Sequence, residues 1–338
     1  MNLIKQYSSD KNIKASTREG YTSAIRKYEK FHAKSIEDLL SEAKEEESLP
    51  LNKRKIKRRL IEFRKYLINS SLSSRSAKTY FSKIKAFYRF HDIEIPDIPN
   101  IKYNKDYQMN YKDLPAREHI KRAVEISEIG IQAMILFMAS SGTAKAETLS
   151  LTVNDFIKAT SNYHNNDSIS DILNTLENRS IVPTFYLKRM KTNKYYYTFC
   201  TPEATEYIIK YLKSRSDLKK SSKLFDYSSS AVTARFREIN DSNNWGFRGK
   251  YRFFRPHALR KFYASNISLS SEIVDELQGR GKSEVHDAYI KTRPEALKKS
   301  YKSKMANVCI LKTSKNEKDG EFNIYINVFV GDKTINIQ

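Results

Sequence analysis

RPHALRKFYASNI, residues 255–267, and LQGRGKSEVHDAY, residues 277–289, are the stretches on which the reading of this chain turns. A helix is expected over Ala258–Ser268, opening after Arg255-Pro256, and another over Ser271–Leu277. His257 and Arg260 fall at the start of the first helix. Gly279 and Arg280 follow the second, and Tyr289 stands ten residues beyond Gly279. Two upstream stretches belong with them: SGTAKAETLSLTVNDF, residues 141–156, and FYLKRMKTNKYYYTF, residues 185–199. The latter predicts a short hairpin, Val182–Lys188 against Lys194–Cys200, because Tyr, Phe and Thr favour strands and Arg189–Asn193 supplies the turn. Around these, helices are expected at Ala116–Glu125, Ile129–Ser140, Ala146–Leu149, Ile169–Leu176, Pro202–Ser214, Ser230–Glu238 and Glu295–Met305. EFNIYINVFVGDKTINIQ, residues 321–338, alternates apolar and polar residues and predicts a terminal hairpin turned at Gly331-Asp332.

The first hundred residues read as helices alone. Ser16-Thr17 opens one that runs to about Lys34, with Tyr21, Ile25, Tyr28 and Phe31 at helical spacing. A second covers Ile36–Lys44. A third, Asn52–Ile68, carries the apolar stripe Ile56, Leu60, Phe63 and Leu67, and places Lys53, Arg54, Lys57, Arg58 and Arg64 on its other faces. A fourth runs from Ser74 to His91, with Tyr80, Ile84, Phe87 and Tyr88 inward and Lys78 and Lys83 among its polar residues. IEIPDIPNIKYNK, residues 93–105, has two prolines within four residues, which forbid helix and favour extended chain. The chain is therefore divided into a helical domain over 1–92, a linker over 93–105 and a mixed domain over 106–338. The expected fold class is mainly α with a small β-sheet.

Charge narrows the partner. The 338 residues hold 61 Lys and Arg against 39 Asp and Glu, a formal charge of +22. Such a surplus raises self-repulsion and suits a polyanionic partner. It is uneven: residues 51–90 hold thirteen Lys and Arg and one acid, Glu62, whereas residues 1–50 hold nine of each sign. A one-sided basic helix is what contact with nucleic-acid phosphates requires, although an ordinary solvated helix face has the same composition. Cys200 and Cys309 are far apart and lack metal spacing, so neither a disulfide framework nor a zinc site is expected, and a reducing compartment fits. The N-terminus lacks an apolar signal core and no apolar run reaches membrane-spanning length, so a cytoplasmic protein is expected.

Taken together, the four stretches of the second domain resemble the tyrosine recombinases, the phage-type integrases. Each motif is short; their order and spacing give the specificity, and the likeness covers nearly the whole chain. It implies that the first domain is a core-binding DNA-binding domain and the second an α+β catalytic domain. The two would close around duplex DNA as a clamp. It implies a site-specific recombinase that cleaves and rejoins DNA through a 3′-phosphotyrosyl link, integrating or excising a mobile element. QGR at 278–280, which ends in Arg280, and RKF at 260–262, which begins with the Arg of the His-x-x-Arg box and leads to Ala264-Ser265, resemble integrases of spindle-shaped archaeal viruses.

Residue roles follow from the resemblance and from the chemistry. His257-Ala-Leu-Arg260 matches the family's His-x-x-Arg box: Arg260 would grip the scissile phosphate bidentately and His257 would assist proton transfer. Gly279-Arg280 matches the Gly-His pair, with Arg280 in place of His. Tyr289 has the spacing of the nucleophile; Tyr301 is the fallback and Tyr263 reads as core. Lys191 in the hairpin turn matches the lysine that protonates the leaving 5′-oxygen, with Lys188 and Lys194 as alternatives that reach the same groove. Lys53, Arg54, Lys57, Arg58, Arg64, Lys78, Lys83, Lys188 and Lys194 are the expected DNA contacts. The match departs at the first box: Glu147-Thr-Leu-Ser-Leu fits, but the preceding Arg position holds Ala144 or Lys145. Lys keeps the charge and loses the fork. Three explanations follow: Lys145 serves at a reduced rate, another Arg fills in, or the chain is an inactivated or engineered variant; a DNA binder of the same fold that does not cleave is the competing function. No metal or cofactor is required. The resemblance further implies assembly from dimer to tetramer on DNA, in which the helix after Arg293 packs on a neighbouring protomer or on its own domain. A type IB topoisomerase-like activity uses the same chemistry, and a basic RNA-binding protein shares only the charge.

Overall fold

A computed structural model of the chain describes residues 2–102, 107, 109–165, 168–280, 293–311, 327–330 and 333–336. The chain forms two compact units, Met1–Gln108 and Met109–Gln338.

The first unit is helical: α1 (Asn2–Asp10), α2 (Ala15–His32), α3 (Ile36–Glu45), α4 (Lys55–Asn69) and α5 (Ser74–Phe90). Serine caps fix two of the starts. Ser35 accepts a bond from the Asp38 amide at 3.0 Å and Ser73 one from the Ser76 amide at 3.1 Å, each satisfying an amide that the first turn leaves open. The stripe Ile56, Leu60, Phe63 and Leu67 is fully inward on α4. On α5 the buried line is Ala77, Phe81, Ile84 and Tyr88, with Phe87 beside it, so Tyr80 moves to the edge of the core. Tyr28 joins α2 to both neighbours: its ring meets Phe63 edge-on at 4.8 Å and its hydroxyl lies 3.2 Å from that of Tyr88. Helix α1 was not anticipated, because NLIKQYSSD is mostly polar; it is held by Tyr7, buried among Tyr21, Phe87 and Phe90. Residues 93–101 have no regular structure, yet Ile93, Ile98 and Ile101 are buried in this same core. The segment read as a linker thus packs as part of the first unit over that length.

The second unit is built around α7 (Ile129–Ser141), which is apolar on every face and buried on every face. Helices α6 (Arg117–Glu125), α11 (Pro202–Lys213) and α13 (Pro256–Asn266) pack on it. Strands β1 (Thr184–Lys188) and β2 (Tyr195–Phe199) form an antiparallel hairpin, with Tyr186 opposite Tyr197 and Lys188 opposite Tyr195. Its period of two sends Phe185, Leu187, Tyr196 and Thr198 inward and Tyr186 and Lys188 outward. The remaining elements are α8 (Lys145–Ser150), α9 (Val153–Ala159), α10 (Ile169–Leu176), α12 (Ser229–Ser242), α14 (Ser271–Leu277) and α15 (Pro294–Lys304). Two further hairpins complete it, β3 (Phe247–Arg248) with β4 (Tyr251–Arg252) and β5 (Asn327–Val330) with β6 (Lys333–Asn336). The last occupies the alternating terminal stretch; Gly331 and Asp332 lie outside the described residues. The α9 helix and the β3–β4 hairpin were not anticipated. Thr152 starts α9 by accepting from the Asp155 amide at 3.2 Å. The fold is mainly α with small antiparallel sheets, as expected. No helix among the described residues is long and apolar enough to cross a membrane.

Candidate functional site

Three chain reversals meet at Arg260. Helix α7 ends at Gly142, whose φ of +66° is left-handed, and α14 runs out at Gln278 into Gly279, whose φ is +59°. Glycine is needed at both, since such backbone is strained for other residues and a side chain at either would strike a ring, Tyr263 at the first and Tyr196 at the second. Arg260, on α13, ties the two ends together. Its Nη1 donates to the Gly142 carbonyl at 2.7 Å and its Nη2 to the Gln278 carbonyl at 2.7 Å. Gln278 answers by donating from Nε2 to the Arg260 carbonyl at 3.1 Å. Arg260 is only 5% exposed, and its charge rests on neutral oxygens. Burial lowers its pKa; Tyr196 and Glu147 oppose that effect, while Arg189 and Arg280 add to it.

Arg189 arrives from the hairpin. It follows β1 at the turn, where its amide donates to the Lys194 carbonyl at 2.7 Å and Asn193 closes the loop at φ +58°. Its Nη1 donates to the Gln278 carbonyl at 3.2 Å, the oxygen that also receives Arg260. Arg280, exposed, pairs with Asp275 at 3.0 Å. His257 is exposed at the first turn of α13. Partial desolvation first, and then Lys261, Arg255, Arg260 and Arg280, hold its pKa below the ordinary value, which favours the neutral ring. Tyr196 is 3% exposed, and its hydroxyl has no hydrogen-bond partner of good geometry among the described residues. Burial and the nearby Glu147 push its pKa up, against the pull of Arg260 and Arg189. The centre is therefore a concentration of guanidinium groups near a half-open hairpin turn, suited to an anion with several oxygens.

The sequence-predicted residues divide around this centre. Arg260, His257 and Arg280 come together. Lys191 lies exposed in the turn that also presents Arg189; Lys188, on the outer face, stands 5.6 Å over the Tyr195 ring, and Lys194 follows the turn. Lys145 turns elsewhere: its Nζ donates to the Ser229 carbonyl at 3.0 Å and to Thr233 Oγ1 at 2.8 Å, joining α8 to α12, and burial lowers its pKa. Ala144 precedes α8, its amide donating to the buried Glu147 carboxylate at 2.8 Å. Tyr289 lies outside the described residues. Tyr301 is not available as its substitute: it is fully buried, its hydroxyl donates to the Ser140 carbonyl at 2.9 Å, and burial raises its pKa well above the ordinary value. Tyr263 is core. Helix α15 packs on its own unit through Leu297 and Tyr301. Arg189, Tyr196 and Gln278 were missed. Arg189 sits within the quoted KRMKTNKY turn, but only the hairpin register and the Gly279 reversal show where it points. Among the described residues no group of three His, Cys, Asp or Glu side chains is placed to hold a metal ion.

In the first unit, Lys53, Lys57 and Arg58 are exposed on and before α4, Arg58 paired with Glu62 at 2.8 Å. Lys78 and Lys83 share a groove of about 560 Å³ with Tyr21, Arg75 and Thr79. Arg54 is engaged within the unit, donating to the Glu47 and Leu49 carbonyls at 2.8 Å and pairing with Glu94. Arg64 reaches the Asn100 carbonyl at 3.5 Å.

No family model matches the sequence, and no curated protein sequence matches it. Solved structures do. A lambda integrase dimer bound to a COC′ core site superposes with a TM-score of 0.57 at 14% identity, covering 86% of this chain and 98% of that one. A lambda integrase tetramer bound to a Holliday junction gives 0.56 at 14% identity, with 86% and 79% covered. The Tn1549 transposon integrase in complex with transposon right end DNA gives 0.50 at 13% identity, with 89% and 98% covered. At such identities the likeness is one of fold alone: the chain has the fold of these integrase structures.

Proposed function

We propose that this chain is a site-specific DNA recombinase of the integrase type, which cleaves and rejoins duplex DNA at an attachment site of a mobile element. The observation that carries the reading is Arg260, buried beside the Gly279 reversal and held by carbonyl oxygens rather than by carboxylates, with Arg280 and His257 near enough to feel its charge. Guanidinium groups fixed in advance stabilise the charge that gathers on a phosphate oxygen during displacement. In the proposed step the Tyr289 phenol oxygen attacks phosphorus and gives its proton to His257, whose neutral form is favoured first by partial desolvation and then by the surrounding cations. The P–O5′ bond breaks and the 5′-oxygen takes a proton from Lys191. A 3′-phosphotyrosyl ester results; attack by a 5′-hydroxyl displaces Tyr289, so rejoining needs no nucleotide cofactor. Lys53, Lys57, Arg58, Lys78 and Lys83, with Arg64, Lys188 and Lys194, supply the surrounding duplex contacts; Arg54, expected among them, is engaged instead by the Glu47 and Leu49 carbonyls and by Glu94. The division into a core-binding domain, linker and catalytic domain belongs to the same reading, as do work on DNA in the cytoplasm and an origin close to archaeal viral integrases. Assembly from dimer to tetramer on DNA is supported by the oligomeric, DNA-bound complexes of the lambda integrase neighbours.

One observation favours a second reading, a DNA binder of the same fold that does not cleave: Ala144 offers no cation, and the Lys145 ammonium is bonded to α12. Covalent trapping separates the two. The protein is mixed with nicked suicide duplexes tiling the DNA that borders its gene, and adducts are resolved on a denaturing gel. Recombinase activity gives a shifted band that disappears in Tyr289→Phe. A band absent from the wild type but present in Lys145→Arg indicates an enzyme disabled at its first phosphate contact. Duplex binding by both with no band from either leaves only DNA binding.

A further inference from the structure

We infer that Arg189, in the hairpin turn, is a catalytic residue that contacts the scissile phosphate and supplies the second guanidinium fork that residues 144 and 145 do not provide; this rests on the recombinase reading above. Phosphate recognition by two forks requires planar donors close together, aimed at one place. Ala144 has no donor, and Lys145 is a point charge already bonded to Ser229 and Thr233. Arg189 meets the requirement by another route along the chain. It and Arg260 donate to the same Gln278 oxygen, at 3.2 and 2.7 Å, so those two nitrogens lie within two hydrogen-bond lengths of each other. Neither guanidinium is paired with a carboxylate in a salt bridge between described residues. Two like charges held this near each other repel, and a phosphate between or beside them relieves that repulsion.

A second observation points the same way. The Tyr196 hydroxyl is buried near Arg260 and Arg189, and no described residue accepts a hydrogen bond from it with good geometry. Buried hydroxyls are nearly always bonded, so a phosphate oxygen brought to the two guanidinium groups would find a further donor there. Arg189 also differs from Arg260 in its support. Arg260 is fixed between two helix ends, whereas Arg189 sits on a partly exposed turn that also carries Lys191. The turn would then deliver both a phosphate clamp and the proton donor.

The test is single-turnover adduct formation on a suicide duplex with wild type, Arg189→Ala and Arg189→Lys, with Tyr289→Phe as the covalent control and melting temperature as the folding control. Each protein is assayed on the ordinary phosphodiester and on a duplex whose scissile phosphate is a neutral methylphosphonate. Arg189→Ala should slow adduct formation by about 10²-fold or more on the charged linkage, with duplex affinity lowered less than about threefold. Arg189→Lys should recover little of the rate, because the fork is lost. On the neutral linkage the Arg189→Ala defect should shrink to within about tenfold, as expected for a charge-stabilising contact. Wild-type-like cleavage by Arg189→Ala overturns the assignment. So does a defect of equal size on both linkages, which identifies Arg189 as a tether of the hairpin to Gln278. No adduct from the wild type on any duplex removes the recombinase reading and this inference with it.

Discussion

The cations of the first unit and those of the second are held in different ways. On α4, Arg58 is paired with Glu62 in solvent, and Arg54 serves the loop before its own helix. Lys57 and Lys78 stand exposed. Exposed charges over a hydrophobic stripe suit attraction of phosphates by displacement of counterions, with little demand on geometry. In the second unit Arg260 is buried, fixed at both ends of its fork and nearly inaccessible to solvent. One arrangement suits affinity for any duplex, the other a single phosphate in a single orientation. Net charge, which the two units share, is therefore a poor guide to what either does.

Substitutions can break this contrast. The largest effect is expected for Arg260→Ala. Adduct formation should fall by on the order of 10²–10³-fold, as for loss of a fixed oxyanion donor. Stability should also drop by about 1–3 kcal/mol, because the buried Gly142 carbonyl loses its donor. If the rate loss in a suicide-duplex assay matched that of Lys57→Ala, the division between clamp and surface would not hold. Next comes Gly279→Ala. The new methyl meets the Tyr196 ring and the left-handed φ becomes strained, so denaturant unfolding should show a loss of roughly 2–4 kcal/mol; an unchanged midpoint would mean that the reversal is not packed as described. The smallest effect concerns the first unit. Lys57→Ala, Lys78→Ala and Lys83→Ala should each flatten the dependence of duplex affinity on salt by about one unit of slope. Arg54→Ala should leave that slope alone while lowering stability, since its guanidinium is engaged by Glu47, Leu49 and Glu94. Filter binding across a salt series decides between them.

What could be read from the sequence was what repeats locally. The stripe of α4 and the β1–β2 pairing follow from periods of 3.6 and 2, and both appear where the periods place them. Tyr80 shows the resolution of such reading: one helical step decides whether it or Phe81 is core, and that step is set by packing against α2. Helix α1 gave too short a signal: Leu3, Ile4 and Tyr7 are its apolar anchors, and Tyr7 is held by rings 80 and more residues away. The short β3–β4 hairpin has two residues to a strand, too few for a pattern to show. At the candidate site the motif spacing singled out Arg260 and His257, but the contact of Arg260 with Gly142 joins residues 118 apart, and that of Arg189 with Gln278 joins residues 89 apart. Contacts that long carry no local signature. For the same reason Lys145 looked like the cation of its motif, whereas its partners lie on α12, 84 and 88 residues on.

The Gln278 carbonyl has a consequence for the resting protein. An oxygen of a peptide group orients a guanidinium without cancelling its charge. With Arg260 and Arg189 both seated on it, no described carboxylate forms a salt bridge with either. An anion that bound beside this oxygen would bind the native state in preference to the unfolded chain and stabilise it in proportion to the logarithm of its saturation. On the recombinase proposal, part of the fold's stability would then be supplied by the DNA it acts on.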